Sequence, residues 1–570
     1  MKILLAAINA KYIHSNLAVY SLKSHAKEYK EHISLAEYTI NHRTDYILQE
    51  IYKQKPDVLC FSCYIWNFSC VQELIPDLHR LLPDLAIWAG GPEVSYEPEE
   101  FLTEYPMVAG VLCGEGEETF RELCGYYLGT GGNTLEQTAG LVFRNQDNLL
   151  IRTLPRKVLP MDELPFCYEQ LEDFENRIIY YETSRGCPFS CSYCLSSIEK
   201  ELRFRSFSLV KEELQFFLDH QVPQVKFVDR TFNCNHSHAL EIWQYLKDHD
   251  NGKTNFHFEI AGDLLTEEEL ALIASMRPGL IQLEIGVQST HPSTLREICR
   301  TTDMERLEKA VGKIRQAGNV HQHLDLIAGL PEEDFHTFGE SFRQVYQWKP
   351  QQLQLGFLKV LKGSRMQENR EKYGLLYRKR PPYEVLATNW ISYEEILDLK
   401  LVEEMLEVYY NSGQFEQTMK VLELTEENPF ELYLKLGKFY ESRGLLAVSH
   451  SRLRRCEILL EFAEERDGEH TELYQETLIF DLYLRENCKT RPGWAKDRPV
   501  CRELVRKYGK KGKMSHLELF FHDMEEILEN ATLTAYPRRT TGGQLWLFFY
   551  EERDILSRQA KVIKIQEEMP

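Results

Sequence analysis

The sequence predicts an α/β fold in three parts: a doubly wound parallel sheet over 1–150, a partial (β/α)6 barrel over 177–385 and a mainly α-helical domain over 386–570. Three observations predict it. Short apolar runs alternate with helical periodicity through the first 385 residues, as parallel strands joined by crossover helices require. The stretch 152–165 breaks that alternation with three prolines and no helical period, which marks a linker, placed at 151–176. From Tyr393 onward the strand signal fades and a 3.6-residue periodicity takes over. At roughly 100–200 residues per domain, the chain has room for about three to five compact units.

In the first part, strands are predicted at 2–8, 58–63, 85–89 and 108–113, with helices at 17–29, at 71–82 and from Glu117 onward. Doubly wound sheets bind ligands at the carboxyl ends of their strands. That singles out Gly90-Gly91-Pro92-Glu93 and Gly114-Glu115-Gly116, where glycine either admits close approach to a ligand or simply makes a tight turn. The barrel strands are predicted at 178–183, 225–229, 256–260, 281–286, 323–328 and 353–357, with gaps long enough for crossover helices. The third part carries helical patterns at 394–410, 431–443 and 472–485 and one last strand-like element at 544–550.

Hydrophobic residues at 43% and charged residues at 27% exclude wholesale disorder. With 67 Lys and Arg against 88 Asp and Glu, the net charge of -21 disfavours bulk binding to nucleic acid or anionic membrane. A basic run at 502–513 reads by default as a solvated helix end and turn, with contact to an RNA or a phosphorylated ligand as the alternative. The apolar run 3–8 is too short to span a membrane and lacks a cleavage pattern, so a cytoplasmic protein is expected. In a reducing compartment, the 14 cysteines read as buried packing residues, metal ligands or nucleophiles rather than disulfides.

Cys187, Cys191 and Cys194 follow the first barrel strand on a loop bent by Gly186 and Pro188. Three thiolates within eight residues can converge on one soft metal centre, and no fourth Cys or His stands nearby to complete a zinc site. They suit a 4Fe-4S cluster with one iron left open. The spacing Cys-x3-Cys-x2-Cys, with Tyr193 before the last Cys, resembles the signature of radical S-adenosylmethionine enzymes. The resemblance implies that S-adenosyl-L-methionine chelates the open iron through its amino and carboxylate groups. It further implies that the reduced cluster cleaves the sulfonium to a 5′-deoxyadenosyl radical, with electrons from an external donor such as flavodoxin or ferredoxin.

The same resemblance assigns further residues. Tyr193 is placed near the adenine, Glu259 matches the third-strand acid, and Gln288 matches the fourth-strand residue that approaches the ribose. Arg300 falls where one branch of the family pairs an arginine with the methionine carboxylate, a contact that suits a guanidinium fork. Asp325 matches the ribose-binding Asp. Asp229 stands where relatives carry a Gly-Gly-Glu motif that holds the methionine amino group, and here the sequence departs from the pattern.

A doubly wound domain upstream of such a core resembles the cobalamin-binding domain of the family's cobalamin-dependent branch. By that resemblance Ser62, Gly90, Gly91 and Gly114 line the groove for the nucleotide tail and the corrin edge. His14 occupies the place of the cobalt-ligating His of classical cobalamin domains, without the accompanying Asp and Gly, and is either that ligand or a loop histidine. Cys60, Cys63 and Cys70 read as packing residues, with a second cluster of the methylthiotransferase kind as the alternative.

The expected function is a cobalamin-dependent radical enzyme that methylates an unactivated carbon of a small-molecule or peptide substrate. The alternatives are a radical rearrangement or cyclisation, a methylthiotransferase-like reaction, and, from another class, a cobalamin- or redox-responsive binding module. No chemistry is assigned to 386–570.

Overall fold

The computed structural model describes residues 1–565 apart from 133, 169, 170, 489, 497, 499, 501–506 and 508–513. Apart from Lys507, the basic run 502–513 therefore lies outside the described residues. The chain forms two compact units. The first comprises Met1–Leu272, Arg296–Thr301 and Phe357–Asn389; the second comprises Ile273–Leu295, Thr302–Gly356 and the chain from Trp390 onward. No helix among the described residues is long and apolar enough to cross a membrane.

The first unit opens with seven strands: β1 (Ile3–Asn9), β2 (Ile33–Thr39), β3 (Val58–Ser62), β4 (Ala86–Gly90), β5 (Val108–Leu112), β6 (Leu141–Arg144) and β7 (Leu150–Arg152). Their spatial order is β2-β1-β3-β4-β5-β6-β7. The first five are parallel, and β6 and β7 close the edge as an antiparallel hairpin. Leu4, Ala6 and Ile8 of β1 enter one apolar core while Ile3, Leu5 and Ala7 enter another. A strand buried on both faces reads as a continuous apolar run, which is why β1 is visible in the sequence. The chain reverses its winding between β1 and β3, so the switch point where such sheets bind ligands lies at their carboxyl ends. The elements that escape the sequence reading include β2, the helices Thr44–Gln54 and Pro98–Glu104, and the β6–β7 hairpin. β2 carries polar residues at half-buried positions and therefore lacks a clean apolar run.

The first unit also holds three parallel barrel strands, β8 (Ile179–Tyr181), β9 (Gln224–Phe227) and β10 (Asn255–Ile260), with crossover helices Phe207–Asp219 and His236–Asp248. The second unit holds β11 (Ile281–Gln288), β12 (His321–Ala328) and β13 (Gln352–Phe357), alternating with helices Met304–Ala317 and Phe335–Gln347. β11 and β12 run parallel. All six barrel strands thus form where the sequence predicts them, within two residues at either end.

Beyond Tyr393 the helical expectation holds for Tyr393–Leu406, Glu416–Leu422, Pro429–Ser442, Arg452–Asp467 and Thr471–Arg485. It fails beyond them. Three antiparallel strands, β14 (Ser515–His522), β15 (Arg539–Arg553) and β16 (Ala560–Ile565), form a sheet of which the sequence revealed only the middle of β15.

The helix Glu416–Leu422 has no cap of its own; buried Asp481 accepts from Gln417 N at 3.0 Å, Thr418 N at 2.9 Å and Thr418 Oγ1 at 2.8 Å. Asp481→Ala leaves two buried N–H donors unpaired, a cost of about 1–3 kcal/mol. Faster hydrogen exchange at Gln417 and Thr418, by about 5- to 150-fold, is the expected reading. Burial raises the Asp481 carboxyl from 3.8 to about 7. The folded state then keeps a proton that the unfolded chain releases, so stability falls as pH climbs from about 4 to about 7. Asp481→Asn removes that part of the slope.

Candidate active site

The cysteine loop leaves β8 through Ser184–Arg185, which pairs antiparallel with Arg203–Phe204. Gly186 turns the chain at φ 92°, and a Cβ there would stand 2.5 Å from the Glu201 carbonyl oxygen, so only glycine fits. Cys187 and Cys191 are buried, Cys194 is half-buried, and all three are free thiols. Ser197 Oγ donates to the carbonyls of Cys191 and Cys194 at 2.9 and 2.6 Å. Ser192 ties the loop twice more, its N–H to Ile298 O and its carbonyl to Met366 N, each at 2.9 Å. Among the described residues no group of three His, Cys, Asp or Glu side chains, the cysteine trio included, stands close enough together to hold a metal ion. The assignment of the trio therefore rests on its donor chemistry and its pinned loop, which fit an iron–sulfur cluster.

Arg300, far along the chain, reaches this loop. Its Nη1 lies 3.9 Å from Cys191 Sγ and 3.5 Å from the Tyr193 hydroxyl. Burial pushes the Cys191 thiol up while the guanidinium pulls it down. A fixed cation beside the thiols, with Tyr193 on its other flank, is a place for a carboxylate. Glu259 lies at the limit of ion pairing with Lys226 and Arg230, 3.9 Å from each.

Asp229 departs from the expectation. It is completely buried; its Oδ1 accepts from Thr183 Oγ1 at 2.7 Å and Ser184 Oγ at 2.6 Å, and its Oδ2 from Thr183 N at 3.1 Å. Thr183 Oγ1 accepts in turn from His238 Nε2 at 3.0 Å. Burial drops that imidazole to about 4, so it is neutral. With both oxygens engaged and no exposed surface, Asp229 anchors the residues that feed the cysteine loop and leaves little capacity for an ammonium group.

In the second unit, Gln288 ends β11 and Asp325 lies on the neighbouring β12. The register runs Gly286 to Asp325 and Gln288 to Leu326, with an irregularity between Gly286 and Gln288. Gln288 adopts φ 73°, and its Oε1 is buried with no partner among the described residues. An orphaned acceptor on a bulged strand end fits a hydroxyl donor such as a ribose. Asp325 Oδ1 lies 3.0 Å from His323 Nε2, two residues back on the same strand face.

At the sheet of the first unit, His14 Nδ1 is hydrogen-bonded to the Tyr180 hydroxyl, and Ser15 Oγ donates to Ile178 O at 2.9 Å. Burial, with Lys11 and Lys226 nearby, lowers the His14 pKa. Only Nε2 is left for a metal, and it offers a lone pair only in the tautomer whose Nδ1–H donates to Tyr180. Ser62 Oγ accepts from Asn16 Nδ2 at 3.5 Å. Gly90 closes β4, its carbonyl accepting from Cys63 N at 2.7 Å. Gly91, at φ 102°, would place a Cβ 2.5 Å from Cys63 O, so the backbone alone demands glycine there. Gly114, at φ 79°, faces open space with no atom within 4 Å, as a cradle would.

Sequence reasoning missed two features of this end. Tyr64 and Trp66, directly after β3, stack at 4.4 Å and 5°, and Trp66 is 42% exposed although its Nε1 donates to Ile8 O at 3.0 Å. Paired aromatics just beyond a strand at the switch point were the available signal. Glu93, buried beside Gly91, accepts from Tyr383 at 2.7 Å. Cys60 and Cys63 enter opposite cores of the sheet, and burial lifts the Cys60 thiol to about 12. They do not converge, which removes the second cluster of the methylthiotransferase-like alternative.

Residues 3–124 match the B12 binding domain and 181–345 the Radical SAM superfamily; residues 371–535 match a protein of unknown function (DUF4080). The chain carries a B12-binding domain and a radical SAM domain. Cobalamin, S-adenosyl-L-methionine and a 4Fe-4S cluster are the cofactors of that pair of domains. The chain is 27% identical over 366 residues to the cobalamin-dependent radical SAM methyltransferase TokK of Streptomyces tokunonensis, covering 57% of this chain and 51% of that protein. It spans about half the length of the curated relatives it matches. Its fold is similar to the cobalamin-dependent S-adenosylmethionine radical enzyme OxsB with aqua-cobalamin bound, at TM-score 0.57 and 16% identity over 84% of this chain and 80% of that one. It is also similar in fold to the methyltransferase TsrM of Kitasatospora setae with cobalamin and a [4Fe-4S] cluster bound, at TM-score 0.53 and 17% identity over 67% and 82%.

Proposed function

We propose that this chain is a cobalamin-dependent radical SAM methyltransferase acting on an unactivated carbon of a small-molecule or peptide substrate. The observation that carries the reading is Arg300 seated against Cys191 and Tyr193 of the pinned cysteine loop, in a chain whose preceding domain is a B12-binding one. When bound, the reduced cluster supplies the electron that cleaves S-adenosylmethionine to a 5′-deoxyadenosyl radical, and cobalamin supplies the methyl group. Cys187, Cys191 and Cys194 hold the cluster, and Arg300 pairs with the methionine carboxylate. Gln288 and Asp325 accept from the nucleoside. At the B12 end, Gly114 and Ser62 line the groove, the exposed Trp66 ring offers a flat apolar face, and His14 stands beside the ligand.

Single electrons must come from an external donor of the flavodoxin or ferredoxin kind. The thirteen described free cysteines suit a cytoplasmic location, where thiols persist. The full chain, reconstituted anaerobically with iron, sulfide and cobalamin and then reduced in the presence of S-adenosylmethionine, is expected to form 5′-deoxyadenosine and to keep its corrin spectrum through gel filtration. No 5′-deoxyadenosine above the protein-free level would end the radical reading. Loss of the corrin with an intact cluster would end the cobalamin one. Growth on methyl-deuterated methionine, comparing metabolites and peptides of a deletion strain with its parent, reads out the substrate as the product that loses a deuteromethyl mass shift.

A further inference from the structure

Gln288 combines two costs. Its left-handed φ of 73° is a strained conformation for a non-glycine residue, and its buried Oε1 has no partner among the described residues. Such a residue persists only where its surroundings over-determine it. The bulge between Gly286 and Gln288, beside Asp325, turns the strand end and re-aims the side chain.

What holds this turn is a buried acid. Ser289 is fully buried, and its Oγ accepts from His291 N at 3.0 Å and donates to Glu333 Oε1 at 2.6 Å. Ser341, on the helix Phe335–Gln347, accepts from Thr290 N at 3.1 Å and donates to the same oxygen at 2.9 Å. The N–H groups of Thr290 and His291, two and three residues beyond Gln288, are thus each relayed through a serine hydroxyl to a single carboxylate oxygen. Each hydroxyl accepts from backbone and donates its own proton to Glu333 Oε1. The acid is itself held from both sides: Glu332 before it is left-handed at φ 64°, and Asp334 after it caps the helix, accepting from Thr337 N at 2.8 Å.

Glu333 is 1% exposed and makes no ion pair among the described residues. Burial pushes its carboxyl up to about 7, and Asp334 adds a like charge. An unpaired buried acid is expensive and is poor glue for a fold. Its return is geometric, since one oxygen fixes two consecutive peptide groups.

We infer that Glu333 is a positioning residue that clamps the Ser289–His291 turn so that Gln288 is aimed at the nucleoside of S-adenosylmethionine. The inference rests on the radical SAM reading above. It places Glu333 outside contact with the cofactor, acting through Gln288.

The test measures the affinity of the cluster-loaded full chain for S-adenosylmethionine by equilibrium dialysis. Glu333→Leu keeps the volume and removes the acceptor. It is expected to weaken binding about tenfold, equivalent to about 1.4 kcal/mol. Iron content and corrin spectrum should be retained. Glu333→Gln, which still offers an oxygen to both serines, should recover affinity to within about threefold. Should Glu333→Leu fail to load its cluster, Ser289→Ala, which cuts one relay, replaces it with an expected loss of about threefold. The decisive arm repeats the chosen substitution in a Gln288→Ala background. A residue that acts through Gln288 then costs less than about twofold more, because coupled sites are not additive. Unchanged affinity in Glu333→Leu, or the same loss in both backgrounds, overturns the role given to Glu333. Failure of the unmodified chain to bind S-adenosylmethionine overturns the parent reading instead, and this one with it.

Discussion

Cys191→Ala is expected to abolish 5′-deoxyadenosine formation, leaving no product above the protein-free level. On the proposed reading, the three thiolates of one loop supply every protein ligand of a site-differentiated cluster, so losing one leaves it a ligand short. Cys191 is also the thiol Arg300 approaches, so its removal strips both a ligand and the partner of that cation. Iron content should fall together with activity. Cys488→Ala, in the second unit and remote from the loop in sequence, serves as the control and should keep both. Full iron loading and activity in Cys191→Ala would mean that other thiols bind the cluster.

Arg300→Met is expected to leave the cluster in place and to weaken S-adenosylmethionine binding by about 30-fold or more. Truncating one side of a hydrogen-bonded charge pair in a site sheltered from water costs about 2–5 kcal/mol, much of it from leaving the other charge unpaired. The substrate carboxylate would be that charge. Arg300→Lys should recover only part of the loss, because an ammonium cannot reproduce the two-pronged guanidinium contact. The measurement is the dissociation constant on cluster-loaded protein, alongside iron content. An unchanged constant with intact iron would assign Arg300 to holding the loop through Cys191 and Tyr193 and not to the substrate.

The two predictions differ in how far their residues could be found from sequence. The cysteines announce themselves because their spacing is local: a loop of eight residues can hold one metal wherever the chain goes afterwards. Arg300 was reached through resemblance, since no short-range pattern ties it to a loop more than a hundred residues earlier. Asp229 shows the opposite failure. Its place at a strand end was legible, but its saturation by Thr183 and Ser184 depends on how β8 and β9 lie side by side. Glu93 and Glu333 went unread because an isolated acid carries no period, and its meaning comes from partners distant in the chain.

The fold divides in the same way. Parallel strands buried on both faces and helices with one apolar stripe write their periods into the chain, so the alternation of the first 385 residues and the helices from Tyr393 to Arg485 follow from local order. The sheet β14–β15–β16 was hidden because its register is set by cross-strand pairing, which no single segment encodes. Residue types, their spacing along the cysteine loop and the hydrophobic periods are local properties, and they carried the domain order and the proposal that the three cysteines are cluster ligands. Contacts between distant segments decided the rest: Arg300 against Cys191, Asp229 turned inward, and Gln288 held left-handed above a buried acid. Each of these is set by packing and hydrogen bonding over long chain separations, where the stabilising partner and the residue it constrains share no local pattern.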